Sequence, residues 1–247
     1  MLWLKRSMPI LHPNKAIFTD LPPLSERLRT VLDMLPRGGV ICDIGSDHGV
    51  LPLYALKNEI ASFAIVTDLN QKPLQRAEKQ LTSLGFADRS EFLLIDGIPD
   101  TVDPSPDAYV IAGMGGETIA GILERAEERI APHTFFVLQP MTKIEKLRAF
   151  LYHHGFSVKD ERVVWENDKF FLVLSAEYIG VAQACDDSTL FLGEFLSQNK
   201  DETTLLYFKH LLASLEKIIQ KKKCAAVDAS QEIKKYEALH HLLEEKF

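Results

Sequence analysis

An acid, a glycine turn and the start of a helix follow one another directly in this chain. Val40-Ile41-Cys42 runs into Asp43-Ile44-Gly45-Ser46-Asp47-His48-Gly49, and a helix-patterned segment begins at Val50. A strand that ends in a carboxylate and passes through glycines into a helix is how doubly wound α/β folds seat a nucleotide-like ligand. The glycines allow the backbone to approach that ligand closely. The spacing is not GxGxxG, because Ser46 and Asp47 stand where a pyrophosphate-binding turn takes small, uncharged residues. A carboxylate there repels a diphosphate but suits a ligand carrying an amino group and a cationic sulfur. The turn therefore points to S-adenosylmethionine rather than NAD, with Asp43, Gly45, Ser46, Asp47, His48 and Gly49 as candidate cofactor-binding residues.

Hydrophobic periodicity extends this seat into a sheet. Strand-like runs recur at Val40–Ile44, Phe63–Thr67, Glu91–Ile95, Tyr109–Ala112 and Phe135–Leu138. Helix-patterned stretches lie between and after them, at Leu51–Asn58, Lys72–Leu84, Glu117–Ile130 and Lys143–His153. Strands alternating with crossover helices predict a parallel sheet. The pattern then changes, with β-rich runs at Phe156–Trp165 and Lys169–Glu177 split by the turn-forming Glu166-Asn167-Asp168. A parallel sheet ending in an antiparallel hairpin is the architecture of class I methyltransferases, not of dehydrogenases. The expected fold is α/β, Rossmann-like, of that class.

Strand character stops after Tyr178-Ile179-Gly180. Leu205, Phe208, Leu212, Leu215 and Ile219 then recur at coiled-coil-like spacing, and Ile233, Tyr236, Leu239 and Leu243 form a second stripe. The expectation is a helical hairpin, with Gln220–Ser230 as a connector or a continuation of one helix. The chain thus divides into an N-terminal extension (1–23), a ligand-binding α/β domain (24–180) and a helical, coiled-coil-like domain (181–247).

Composition narrows the class without naming it. The 247 residues, 46% hydrophobic and 26% charged, suit a globular protein with a sizeable core. No apolar run approaches the roughly 20 residues that span a bilayer. Cys42, Cys185 and Cys224 are odd in number and widely spaced, which fits a reducing cytoplasm and no structural zinc. The net charge of −7 argues against a nucleic-acid partner at first sight, yet residues 1–40 carry six Lys/Arg against three Asp/Glu. A basic arm beside an acidic core also suits an enzyme that grips RNA with one face. Equally, these are the solvated charges of an ordinary surface.

The acids at successive strand ends form a series. Asp68, with Leu69 after it, closes the second strand, where a carboxylate accepts hydrogen bonds from ribose hydroxyls. Asp96-Gly97 follows the third strand, where an acid can bond an adenine amine. Asp43, Asp68 and Asp96 together favour S-adenosylmethionine; NAD enzymes share the Asp68 device but not the whole series or the hairpin. After the fourth strand comes Ala112-Gly113-Met114-Gly115-Gly116, in place of the Asn/Asp-Pro-Pro-aromatic motif common in amino-methylating enzymes. Its glycines permit close backbone approach at a helix N-terminus. Gln139, ending the fifth strand, is placed to hydrogen-bond a substrate base or to cap its own strand. His153-His154 has no companion ligands, so no metal site is expected.

The motifs DIGSDHG, Leu51-Pro52, IAGMGG and LQP, together with Leu24-Ser25 and Arg27-Leu28, resemble the bacterial tRNA adenine-22 N1-methyltransferase family (TrmK). The resemblance covers roughly Leu24 to Tyr178. It implies a class I methyltransferase with a helical C-terminal domain, S-adenosylmethionine as cofactor, and tRNA as partner, methylated at N1 of an adenine. Carried onto these positions, it implies Asp47 and Gln139 as catalytic residues. Arg27, Met114, Gly115, Gln139 and Pro140 would face the substrate, and Gly97 and Gly113 would join the cofactor set. Gly49, Met141, Phe171 and Glu194 depart from the family pattern. A non-catalytic RNA-binding protein on the same fold remains the alternative, as does an NAD-dependent oxidoreductase.

Overall fold

In a computed structural model, residues 23–46, 48–224 and 230–246 are described. The apolar runs form strands β1 (Gly39–Ile44), β2 (Ala61–Asp68), β3 (Ser90–Leu94), β4 (Ala108–Met114) and β5 (Phe135–Pro140), followed by β6 (Phe156–Glu166) and β7 (Lys169–Tyr178). They make one seven-stranded sheet in the order β3-β2-β1-β4-β5-β7-β6. The first five pair in parallel, while β7 runs antiparallel to both β5 and β6. Chain order reverses between β1 and β4, which opens a crevice at the carboxyl ends of those strands. The hairpin turn places Asn167 and Asp168 at φ 49° and 57°, the left-handed pair of a two-residue turn that Asn and Asp tolerate.

Helices α2 (Val50–Lys57), α3 (Gln71–Ser83), α4 (Gly116–Ala126) and α5 (Ile144–His153) follow β1, β2, β4 and β5. One layer of core, built around Leu53, Leu56, Ile41 and Val137, fills one face of the sheet. A second, around Ile119, Leu123, Phe136, Leu147 and Phe156, fills the other under α4 and α5. The sequence reading passed over α1 (Glu26–Asp33), although its apolar Leu28, Val31 and Leu32 stand three and four residues apart on one helical face. Its N-terminal signal was present in Ser25, whose hydroxyl accepts from the Leu28 amide at 3.3 Å.

The tail forms α6 (Asp187–Leu192), α7 (Glu202–Lys223) and α8 (Ser230–Lys246). Phe208, Leu215, Ile219, Leu239 and Leu243 are buried as their spacing predicts, and Tyr207 joins them. Two adjacent buried aromatics exceed a coiled-coil seam, because α7 packs on the sheet through Phe170 and Leu172 as well as on α8. The expected connector Gln220–Ser230 is helical through Lys223, and residues 225–229 lie outside the described residues, as do 1–22 of the N-terminal extension. Arg148 and Glu161, 1% and 2% exposed, pair at 2.7 Å where tail meets sheet. The same guanidinium donates to the carbonyls of Leu190 and Phe191, and the same carboxylate accepts from the Phe195 amide. Tyr152 donates to Glu194 at 3.0 Å, which gives a partner to the position where the family pattern has proline. Among the described residues no helix is long and apolar enough to cross a membrane.

Candidate functional site

A cavity of about 800 Å³ opens in the crevice at the ends of β1, β2 and β4, within the range of small-molecule sites. Three carboxylates reach it from successive strands or the loop beyond. Asp43, last but one in β1, is only 5% exposed and hydrogen-bonds the Ser46 side chain. Burial pushes its carboxyl up to about 6, against the pull of the Ser46 hydrogen bond and with a further push from the neighbouring Asp68 charge. Asp68 ends β2, and one of its oxygens accepts from the Asn70 amide at 2.7 Å, fixing the turn into α3. Asp96, beyond β3, lies in the open and pairs with Arg125 of α4 at 3.2 Å.

The backbone turns shape the space between these acids. Gly45 takes φ 73°, where a side chain is strained, and the Met114 methyl occupies the space that a Cβ on it would take. The β4–β5 register shifts between Ala112 and Met114, a bulge that lifts Gly113 out of the ladder at the cavity wall. Leu69 is 65% exposed beside Asp68, an apolar wall left for a ligand to cover. Arg27, from α1, closes another side. Its guanidinium donates to the Gln139 side-chain oxygen and lies 5.4 Å from the centre of the Phe171 ring. Phe171, a departure from the family pattern, thus meets Arg27 with an aromatic face.

The predicted residues divide into those that line this cavity and those that stand behind it. Asp43, Gly45, Ser46, Asp68, Leu69, Asp96, Gly97, Gly113, Met114 and Arg27 line it. Gln139 is fully buried behind the wall, and its hydrogen-bonding capacity is largely used. Its oxygen accepts from Arg27 and from the Gly113 amide at 3.0 Å, and its nitrogen donates to the Pro140 carbonyl at 3.0 Å. Gly115 precedes α4 and Pro140 ends β5, neither on the cavity wall. Gly49 is buried in a left-handed turn where a Cβ would meet Ala77 and Leu81 at 2.8 Å, so it lets α3 pack close. His48 is exposed, its ring 3.2 Å from Arg76. Asp47 lies outside the described residues.

Sequence reasoning missed Thr118, Ile122 and Arg125, which line the cavity from one face of α4. The signal was there: spacings of four and three after the AGMGG turn put all three on one helical stripe. Asn70 and Ile95 are neighbours of the predicted acids and needed only the turn geometry to be seen. Among the described residues no group of three His, Cys, Asp or Glu side chains could hold a metal. The arrangement is a seat for a nucleoside-like ligand with cationic character. Its wall carries carboxylates at three strand ends and apolar side chains between them, with a guanidinium and a glycine bulge at the open side.

The chain is similar in sequence and in structure to known methyltransferases. The family model described as a methyltransferase domain matches residues 24–174. The tRNA (adenine(22)-N(1))-methyltransferase of Bacillus subtilis is 33% identical over 225 residues, covering 90% of this chain and 94% of that enzyme. The crystal structure of the B. subtilis m1A22 tRNA methyltransferase TrmK matches with a TM-score of 0.78 at 31% identity, over 91% of this chain and 98% of that one. A Streptococcus pneumoniae putative tRNA (m1A22) methyltransferase in complex with S-adenosyl-L-methionine matches with a TM-score of 0.76 at 26% identity, over 89% of this chain and all of that one.

Proposed function

The chain belongs to the bacterial tRNA (adenine-22) N1-methyltransferase family, and from that premise we propose that it methylates N1 of adenine 22 in tRNA with S-adenosylmethionine as donor. The observation that carries this reading is the crevice itself, with Asp43, Asp68 and Asp96 gathered from neighbouring strand ends around a cavity of about 800 Å³. The donor fits what is there. Asp68 has a second oxygen beyond the one given to Asn70, and Leu69 offers uncovered apolar surface.

Bound S-adenosylmethionine supplies an electrophilic methyl on a cationic sulfur. Asp68 would accept from the ribose hydroxyls, Ile95 and Ile122 would sandwich the adenine, and Asp43 would face the cationic end. Asp96 would offer the adenine amine the oxygen that Arg125 does not pair with. Adenine N1 attacks through an in-plane lone pair, so no side chain has to remove a proton first. Catalysis then rests on alignment, which effective molarity makes worth several kcal/mol (about 7–11 at most). The substrate base has to leave its stack to reach the crevice.

Gln139 and Arg27 share the work of holding the open side. Because Gln139 ties Arg27 to the Gly113 amide, it is a positioning residue, and the guanidinium, not the amide, is presented to the entering nucleotide. A cation at that point suits phosphate or a ring nitrogen acceptor and does not favour a protonated base. The test is isotope-labelled methyl transfer to unmodified tRNA, with nucleosides separated by mass spectrometry. Label in 1-methyladenosine supports the reading. Label in N6-methyladenosine or a ribose methyl, or none in tRNA, overturns it.

A further inference from the structure

The tip of the β6–β7 hairpin carries an aromatic surface that the methyl-transfer site does not use. Trp165 is 50% exposed, with its ring 4.5 Å from that of its cross-strand partner Phe170. Phe170 leans on Tyr207 and on the exposed His210 of α7, at 5.7 and 5.5 Å between ring centres. The hairpin overhangs the site's edge of the sheet. Leu138 of β5 opposes Leu174, so Phe170 lies beyond the end of β5 at Pro140. Trp165 stands two strands from β5, on the order of 10 Å at ordinary strand spacing.

Charge around the tip suits a polyanion. Lys143 and Lys146 are exposed at the start of α5 and outnumber the part-buried Glu145 between them, and Ile144 there shares an apolar cluster with Phe170 and Tyr207. Lys209 is exposed next to His210, and Lys169 at the turn itself. Glu166 turns to the opposite face of the hairpin, where it accepts from the Arg27 amide at 3.0 Å; Asp168 is the exposed acid of the turn.

We infer that Trp165 is a stacking platform for an unpaired nucleotide of the RNA substrate, flanking the adenine that enters the crevice. The inference rests on the RNA-methylating reading above. Proteins that recognise RNA take splayed bases on aromatic faces and hold the backbone with lysines. An indole half uncovered on the carboxyl-end side of the sheet that holds the crevice, braced by the tilted Phe170 ring, is preorganised for that contact. The nucleotide it holds does not react, so the platform acts on capture of tRNA and not on the methyl-transfer step.

The chain has two tryptophans, so Trp3→Phe leaves Trp165 as the only one. Titrating that protein with an unmodified tRNA transcript should quench its fluorescence and saturate where methylation saturates. Trp165→Ala should raise the KM for tRNA about tenfold, with kcat and the dissociation constant of S-adenosylmethionine unchanged. Trp165→Tyr, which keeps a stacking face, should restore most of the loss. An unchanged KM in Trp165→Ala, fluorescence unmoved by saturating tRNA, or a loss that Tyr does not restore overturns the platform while wild-type activity persists. Failure of the wild type itself to methylate tRNA would instead sink the reading on which the platform rests.

Discussion

Asp43 is asked to do two opposed things. Its buried carboxyl ionises only near pH 6 in the ligand-free protein, well above the ordinary value of 3.8. A raised carboxyl favours the fold below its ordinary value, and that contribution disappears as pH climbs through 6. Asp43→Asn should therefore raise the melting temperature of the ligand-free protein at pH 8 and leave it unchanged at pH 4. Its magnitude is at most about 3 kcal/mol. The same substitution removes the charge facing the cationic donor, so S-adenosylmethionine should bind less tightly. In the wild type, kcat/KM should rise to about pH 6 and stay level above it. A rate still climbing tenfold per pH unit through neutrality would mean that a proton is removed before attack, which N1 does not require. Calorimetry on Asp68→Ala should give roughly 1–3 kcal/mol of lost donor affinity, the scale of hydrogen bonds to a charged group. Gln139→Ala leaves the Gly113 amide and Arg27 without their shared acceptor, so turnover should fall more than donor affinity.

At the scale of elements, strands and long helices were legible because burial on one face writes its period into the sequence. The hairpin was legible because Asn167-Asp168 carries its own backbone preference. What stayed hidden was whatever depends on distant partners. Gly49 reads as part of a ligand turn until Ala77 and Leu81 of α3 are seen against it. Gln139 reads equally as a base ligand or a strand-end cap until Arg27, 112 residues away, takes its oxygen. Three acids at strand ends could be found in order, but the Arg125 that pairs with Asp96 could not. Arg148 and Glu161, which no motif or stripe in the sequence singles out, join the tail to the sheet. Removing one partner of a buried pair strands the other's charge, so Arg148→Met should cost about 3–5 kcal/mol of stability in denaturant titration. Loss below about 1 kcal/mol would show that the joint is solvated and not structural.

For the whole molecule, the sheet and tail divide the labour of two substrates of very different size. We propose that residues 24–180 hold the donor and that residues 181–247 enlarge the face offered to tRNA. The two are not independent blocks, since Ile144, Val163, Phe170 and Leu172 of the sheet domain pack with α7 and α8. The overall charge of −7 makes RNA capture depend on local clusters, so raised salt should weaken tRNA binding while barely moving donor affinity. The central claim is that one nitrogen of one adenine receives the methyl group. Its most direct measurement maps label on an unmodified tRNA transcript, beside the same transcript with guanine in place of adenine 22. The account predicts one methyl per tRNA, recovered as 1-methyladenosine from position 22, and none in the guanine transcript. Equal labelling of both transcripts, or label on another atom of adenine 22, would contradict it.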